Sequence, residues 1–198
     1  MTEVRAFRRV VLIIALMNLG YFGVEFAAAL SIRSVSLMAD SVDFLEDGAI
    51  NLLIFFAAVW TLKQRSRAGA ALTFFFLIPV AAAVWMTVVK IINPERPQPT
   101  VLTVTALGAL VINVTASAML ARHRNAHGSI AKAAWLSARN DAIANLAIIA
   151  AALISLVIVT GWIDIVVGLG IAALNAGAAR EVWRAARAER LTLDEAEG

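Results

Sequence analysis

The chain has no cysteine, one tyrosine, two histidines and four prolines in 198 residues, and only 16% of it is charged. Without cysteine there is neither a disulfide framework nor a thiolate metal site. So little charge beside 61% hydrophobic residues excludes a soluble enzyme and describes a membrane protein of one compact domain. The net charge of +3 does not point to nucleic acid. The basic residues lie in short clusters between apolar runs, where the bias towards positive cytoplasmic loops accounts for them.

What the chain has in quantity is apolar sequence. Six stretches are long enough to span, at about 8–31, 36–62, 69–91, 101–121, 132–160 and 162–183, each meeting the roughly 20 residues a bilayer requires. This predicts an all-α integral membrane bundle of six transmembrane helices over residues 1–185, with a short charged tail at 186–198. Thirteen basic residues fall on one side, from Arg5, Arg8 and Arg9 through Lys63, Arg65, Arg67, Arg122, Arg124 and Lys132 to the four arginines between Arg180 and Arg190. Arg33, Lys90 and Arg96 fall on the other, so both termini are expected in the cytoplasm. The first run resembles a secretory signal ending in Ala27-Ala28-Ala29, but it is too long for a signal core and carries Glu25 just before the supposed cleavage point.

The exception to this apolar pattern is the second span, which carries Asp40, Asp43, Glu46 and Asp47. At about 100° per residue these four share an arc of about 120°, and the rest of the span is mostly Leu, Ile, Phe and Ala. A carboxylate near the bilayer centre costs roughly 3 kcal/mol on insertion scales, so the stripe is expected to face a protein interior or watery cavity and to bind something cationic. The fifth span carries a second polar group. Ser137, Asp141 and Asn145 share one face, while Arg139 points to the opposite side. Asp141 lies about 14 Å along its helix from Lys132, and Asp47 about 16 Å along its own from Ser36. Both depths reach the middle of a hydrocarbon core about 30 Å thick. Antiparallel second and fifth spans therefore bring Asp43, Asp47, Asp141 and Ser137 to one level, a set of four oxygen ligands for a divalent cation. Three carboxylates in a low-dielectric medium cannot all stay ionised and unpaired. They bind metal or take up protons, and that exclusivity is a physical basis for antiport.

Other polar residues have plainer explanations. Asn18 and Glu25, two turns apart in the first span, are expected to hydrogen-bond between helices, and Gly108 and Asn113 in the fourth to serve close packing. The third span carries Pro79 and reads as lipid-facing or dimer-facing, and Asn93 to Pro97 as a rigid turn. His123 and His127 stand four apart in a short basic loop with Gly128, and two ligands without a third make a poor metal site.

The run Ser34-Val35-Ser36-Leu37-Met38-Ala39-Asp40-Ser41-Val42-Asp43-Phe44-Leu45-Glu46-Asp47 resembles the second span of the cation diffusion facilitator family, in which an acid or histidine precedes an aspartate by four residues. Asp43 and Asp47 fall on that pair. Trp135 to Asp141 is similar to the fifth-span motif, with Asp141 matched, and Asn18, Glu25, Gly108 to Asn113 and Asp164 support the match. The resemblance covers about residues 8–185. It implies six spans, a homodimer held in the bilayer, and efflux of Zn²⁺, Co²⁺, Cd²⁺, Fe²⁺ or Mn²⁺ in exchange for protons, with no prosthetic group.

Two departures from the family pattern shape the expectation. Ser137 stands where the fifth span usually has histidine, which leaves an all-oxygen set and moves preference from Zn²⁺ towards Mn²⁺ or Fe²⁺. After the sixth span only Glu181 to Gly198 remain, too few to build the cytoplasmic domain that most members carry, so a dimer is expected to rest on the spans. The expected protein is a transporter and not an enzyme, in a bacterial cytoplasmic membrane. Asp43, Asp47, Asp141 and Ser137 are its candidate metal ligands, and Asp40, Glu46, Arg139 and Asn145 are second-sphere or proton-relay candidates. Arg139 is expected to pair with Asp40 or Glu46. Two alternatives stay open: a proton-coupled exporter of organic cations, and a degenerate homologue whose acids Arg139 neutralises.

Overall fold

Backbone that crosses lipid must satisfy its own N–H and C=O groups, which leaves helices or closed barrels. The computed structural model describes residues 2–57, 81–122 and 128–174, with side chains for 5–56, 81–122 and 135–174. Over those residues the chain is all-helical: α1 (Thr2–Ile32), α2 (Val35–Ala57), α3 (Ala81–Ile92), α4 (Pro99–Ala121), α5 (Gly128–Val157) and α6 (Trp162–Leu174). Within α1, α4 and α5, the segments Arg5–Ile32, Pro99–Ala121 and Trp135–Val157 are long and apolar enough to cross a membrane. At 23 residues α2 is as long as α4, but its four acids break the apolar run. Most of the stretch expected as the third span, with Pro79, lies outside the described residues. So do both histidines and the tail.

Helices α1 and α2 pack against each other as one pair and α4 and α5 as another; α1 also meets α4, and α2 meets α5. The core at one end gathers Ala29, Leu37, Met38, Met86, Leu102, Ile148 and Ile165, and a smaller cluster of Ile14, Ala116, Leu120 and Ala138 fills the other. Around them the usual globular arrangement is inverted. Leu16, Val24, Val104, Val111, Leu146 and Leu153 are exposed, while Asn18, Glu25, Asp40, Asn113 and Asn145 are buried. An apolar surface over a polar interior is the arrangement that lipid selects.

One end of the bundle is fixed by an unusually dense polar knot. Arg33 turns the chain between α1 and α2 with φ 52°, the left-handed region that most side chains avoid. Ser34 N–H returns to Ala29 O at 3.0 Å, and Ser34 Oγ accepts from Leu37 N–H at 3.2 Å, capping α2. From the first turn of α6, Asp164 reaches the same helix end. Its carboxylate accepts from Val35 N–H at 2.7 Å, Ser36 N–H at 3.2 Å, Ser34 Oγ at 2.7 Å and Ser36 Oγ. A negative group there also meets the positive end of the α2 dipole. Lys90 from α3 completes the knot, donating to Asp164 at 2.7 Å and to Arg33 O at 2.6 Å. Nearby, Gly161 N–H donates to Pro94 O at 2.9 Å and Arg96 to Ser155 O at 2.9 Å, so the α3–α4 and α5–α6 connections also touch.

The close approach of α6 to this end requires a glycine. A Cβ on Gly168 would meet the Val35 carbonyl carbon at 2.7 Å and Ser36 N at 2.8 Å, and backbone cannot yield as a side chain can. Gly168→Ala should therefore destabilise the bundle by about 1–3 kcal/mol, the usual cost of overpacking. Gly170 supplies the control, because a Cβ there meets nothing within 4 Å. Gly170→Ala should be neutral or stabilising by up to about 1 kcal/mol through helix propensity. Thermal unfolding of both variants in detergent decides; equal melting would mean that α6 does not pack so closely on α2.

Candidate cation site

The interior polar groups form two layers set about two turns apart on α2. In the first, Ser137 Oγ of α5 donates to Asp47 Oδ1 of α2 at 3.1 Å, and the carboxyl of Asp141 faces that of Asp47. Asp47, Asp141 and Ser137 are each partly exposed, which leaves the group open to water or an ion. In the second layer, Asn113 Nδ2 of α4 donates to Asn145 Oδ1 of α5 at 3.0 Å, Asn145 Nδ2 donates to Asp40 Oδ2, and Asp40 faces Glu25 of α1. The two α2–α5 contacts, Asp47 with Ser137 and Asp40 with Asn145, run in opposite sequence directions, so these helices are antiparallel.

Of the residues expected as ligands, Asp47, Asp141 and Ser137 come together. Asp43 is buried one turn further along α2. Among the described residues no three His, Cys, Asp or Glu side chains are grouped so as to hold a metal. The close set in this conformation is two carboxylates and a hydroxyl. Asn145 lies beside Asp40 as a second-sphere group would, and Glu46 is half-buried beside Asp47.

Arg139 is placed otherwise than its expected pairing with Asp40 or Glu46. It is exposed, donates to the neighbouring Asn140 at 3.2 Å and lies 5.4 Å from the centre of the Trp135 ring. The reason is helical geometry: Arg139 points away from the face that carries Ser137 and Asp141, so its guanidinium settles on an aromatic ring of its own helix. Asn18 and Glu25 also depart from simple interhelical hydrogen bonding. Among the described residues, neither end of the Asn18 amide has a partner, and no N–H or O–H donor reaches either oxygen of Glu25.

Two features lie outside what the sequence leads one to expect. The first is the pairing of Glu25 with Asp40, which was legible as hairpin arithmetic: Glu25 stands eight residues before Arg33 and Asp40 seven after it, so a tight turn there folds them to one level. The second is the Asp164–Lys90 ion pair, the one salt bridge among the described residues. No spacing within one helix announces it.

A helical bundle with an apolar surface, buried acids and a carboxylate pair bridging two helices defines an integral membrane protein equipped to handle cations. The chain belongs to the cation efflux family, since the model of the cation efflux transmembrane domain matches residues 11–189 of its 198. It is a cation efflux transporter. No curated protein matches the chain.

Proposed function

We propose that this transporter exports a divalent metal ion in exchange for protons, with Asp47, Asp141 and Ser137 meeting the ion and Asp43 joining them during alternating access. The observation that carries this reading is the contact of Asp47 with Ser137 and Asp141, because it places two acids and a hydroxyl from different helices at one partly exposed point. Two carboxylates facing each other in a low-dielectric medium cannot both stay ionised and unpaired, so without a cation they take up a proton. A divalent cation needs the same oxygens bare, so metal entry releases protons and proton entry releases metal. Because the ligands sit on both α2 and α5, filling or emptying the site changes the attraction between the two helices. That gives each occupant a differential hold on two arrangements of the bundle.

All-oxygen ligation favours hard ions, so Mn²⁺ and Fe²⁺ are the preferred cargo over Zn²⁺, Co²⁺ and Cd²⁺. The clustering of basic residues supports termini on the cytoplasmic side of a bacterial cytoplasmic membrane, and exposed apolar faces leave room for a homodimer formed through the spans.

The test is proton movement in liposomes that contain the purified protein and a pH-sensitive dye, challenged with each of the five metals. Metal-dependent flux, largest with Mn²⁺ or Fe²⁺, is expected. Ser137→His restores an imidazole and should raise the response to Zn²⁺ relative to Mn²⁺ by roughly tenfold or more, within the range by which altered partners tune metal affinity. Flux driven by organic cations and indifferent to every metal would overturn the reading.

A further inference from the structure

The second polar layer is not needed to hold the metal, yet it contains an acid that no donor among the described residues satisfies. Glu25 is 0% exposed, and among the described residues no donor gives a hydrogen bond to either of its oxygens. What it faces is another acid, the equally buried Asp40. Asp40 Oδ2 is occupied by Asn145, and Asn145 is fixed in turn by Asn113, so the amide cannot swing round to serve Glu25. Asp40 Oδ1 is left without a donor among the described residues. Two bare carboxylates in contact, deep in a low-dielectric interior, repel each other with no compensating hydrogen bond. Among the described residues no basic side chain reaches them, because Lys90 is held by Asp164 and Arg33, and Arg139 is exposed on the far side of α5.

The geometry points to a proton-binding site formed by Glu25 and Asp40, separate from the Asp47–Asp141–Ser137 group, in which the two carboxyls share one proton and Asn145 and Asn113 fix the Asp40 end. The shared proton is the O–H donor that this contact lacks. It converts an uncompensated pair of charges into one charge-assisted hydrogen bond, the strong kind. No cation fits between the carboxyls while they touch, so the occupant is a proton and not a second metal ion. The titratable groups within electrostatic reach are Tyr21 on α1, Asp43 on α2 and Asp141 on α5, while α4 presents only the neutral Asn113. Among the described residues, the charges that can develop around the pair are thus negative.

Asp40 and Asp47 stand seven residues apart on α2, about 10 Å along the axis, close enough for a divalent cation at the Asp47–Asp141–Ser137 group to act on the Glu25–Asp40 pair through a low-dielectric interior. The shared proton is therefore one of those exchanged for each metal ion. Only this last step rests on the antiport reading; the existence of the shared proton does not.

Two measurements separate them. Infrared spectroscopy of the whole protein without metal, compared with Glu25→Gln and Asp40→Asn, reads the proton directly. The wild type should show a protonated-carboxyl C=O band sensitive to deuterium exchange, and that component should vanish in both variants, since an amide can donate to the remaining carboxylate. Persistence of the full band in both would overturn the site. In proteoliposomes, the number of protons moved per metal ion should fall by one in Glu25→Gln, and metal affinity should lose the corresponding part of its pH dependence, because the coupling between metal and proton is reciprocal. An unchanged ratio would overturn the exchange of this proton. If the wild type moves no protons with any metal, the antiport reading fails by itself, and the infrared result still decides whether the pair holds its proton.

Discussion

Asp164→Ala is expected to cost the folded bundle about 3–5 kcal/mol, the range for removing one partner of a buried ion pair. The size follows from what one carboxylate holds. It accepts from Ser34, Val35 and Ser36 at the start of α2 and from Lys90 of α3, and its own backbone lies in the first turn of α6. Truncation strands two helix N–H groups and leaves the Lys90 ammonium, 4% exposed, with only the Arg33 carbonyl. That carbonyl belongs to the residue at φ 52°, so the turn that sets the α1–α2 register loses support as well. A double variant with Lys90→Met shows where the cost arises. If the penalty is mainly the stranded ammonium, Asp164→Ala with Lys90→Met will be less destabilised than the sum of the single variants, by about 1–3 kcal/mol. Additive losses, read from thermal unfolding in detergent, would show that the two residues act independently and that the knot is not a unit.

The contrast between this knot and the acid stripe shows what the sequence could and could not disclose. Helical period alone puts Asp40, Asp43 and Asp47 on one face, and depth counted from the ends of two helices matches Asp47 with Asp141 and Ser137, which meet in the structure. Those inferences need only the rise and twist of one helix at a time. Lys90 and Asp164 lie 74 residues apart on helices whose relative rotation is set by packing, including the close approach that Gly168 allows. Nothing local encodes that rotation. Arg139 marks the same boundary from the other side. Its direction was readable, but its partner was not, because a long side chain on an outer face chooses among whatever lies within reach. For Glu25 the sequence suggests one more interhelical hydrogen bonder, since it shows an acid's presence but not that the described residues around it offer no donor.

Asp47→Ala and Asp141→Asn are each expected to bring metal-driven proton flux down to the level of protein-free liposomes, with metal affinity lowered by about 100-fold or more, beyond the roughly 10–100-fold that loss of an outer-sphere partner costs. The two changes act differently on the same contact. Asp47→Ala removes the acceptor of the Ser137 hydroxyl together with the carboxyl that Asp141 faces, and so uncouples α2 from α5 at this level. Asp141→Asn keeps the shape and a donor towards Asp47, and removes only a negative charge and the exchangeable proton. Stability should therefore fall more in the first variant than in the second, while transport is lost in both. That pattern separates a site whose charges do the work from one that merely packs two helices. Asp141→Asn with wild-type flux would show that Asp141 does not meet the ion, and the exchange would then have to run through Asp43 and Asp47 alone. Loss of flux in Asp141→Asn with unchanged unfolding assigns the function to the carboxylate itself, because nothing else about the α2–α5 contact has been altered.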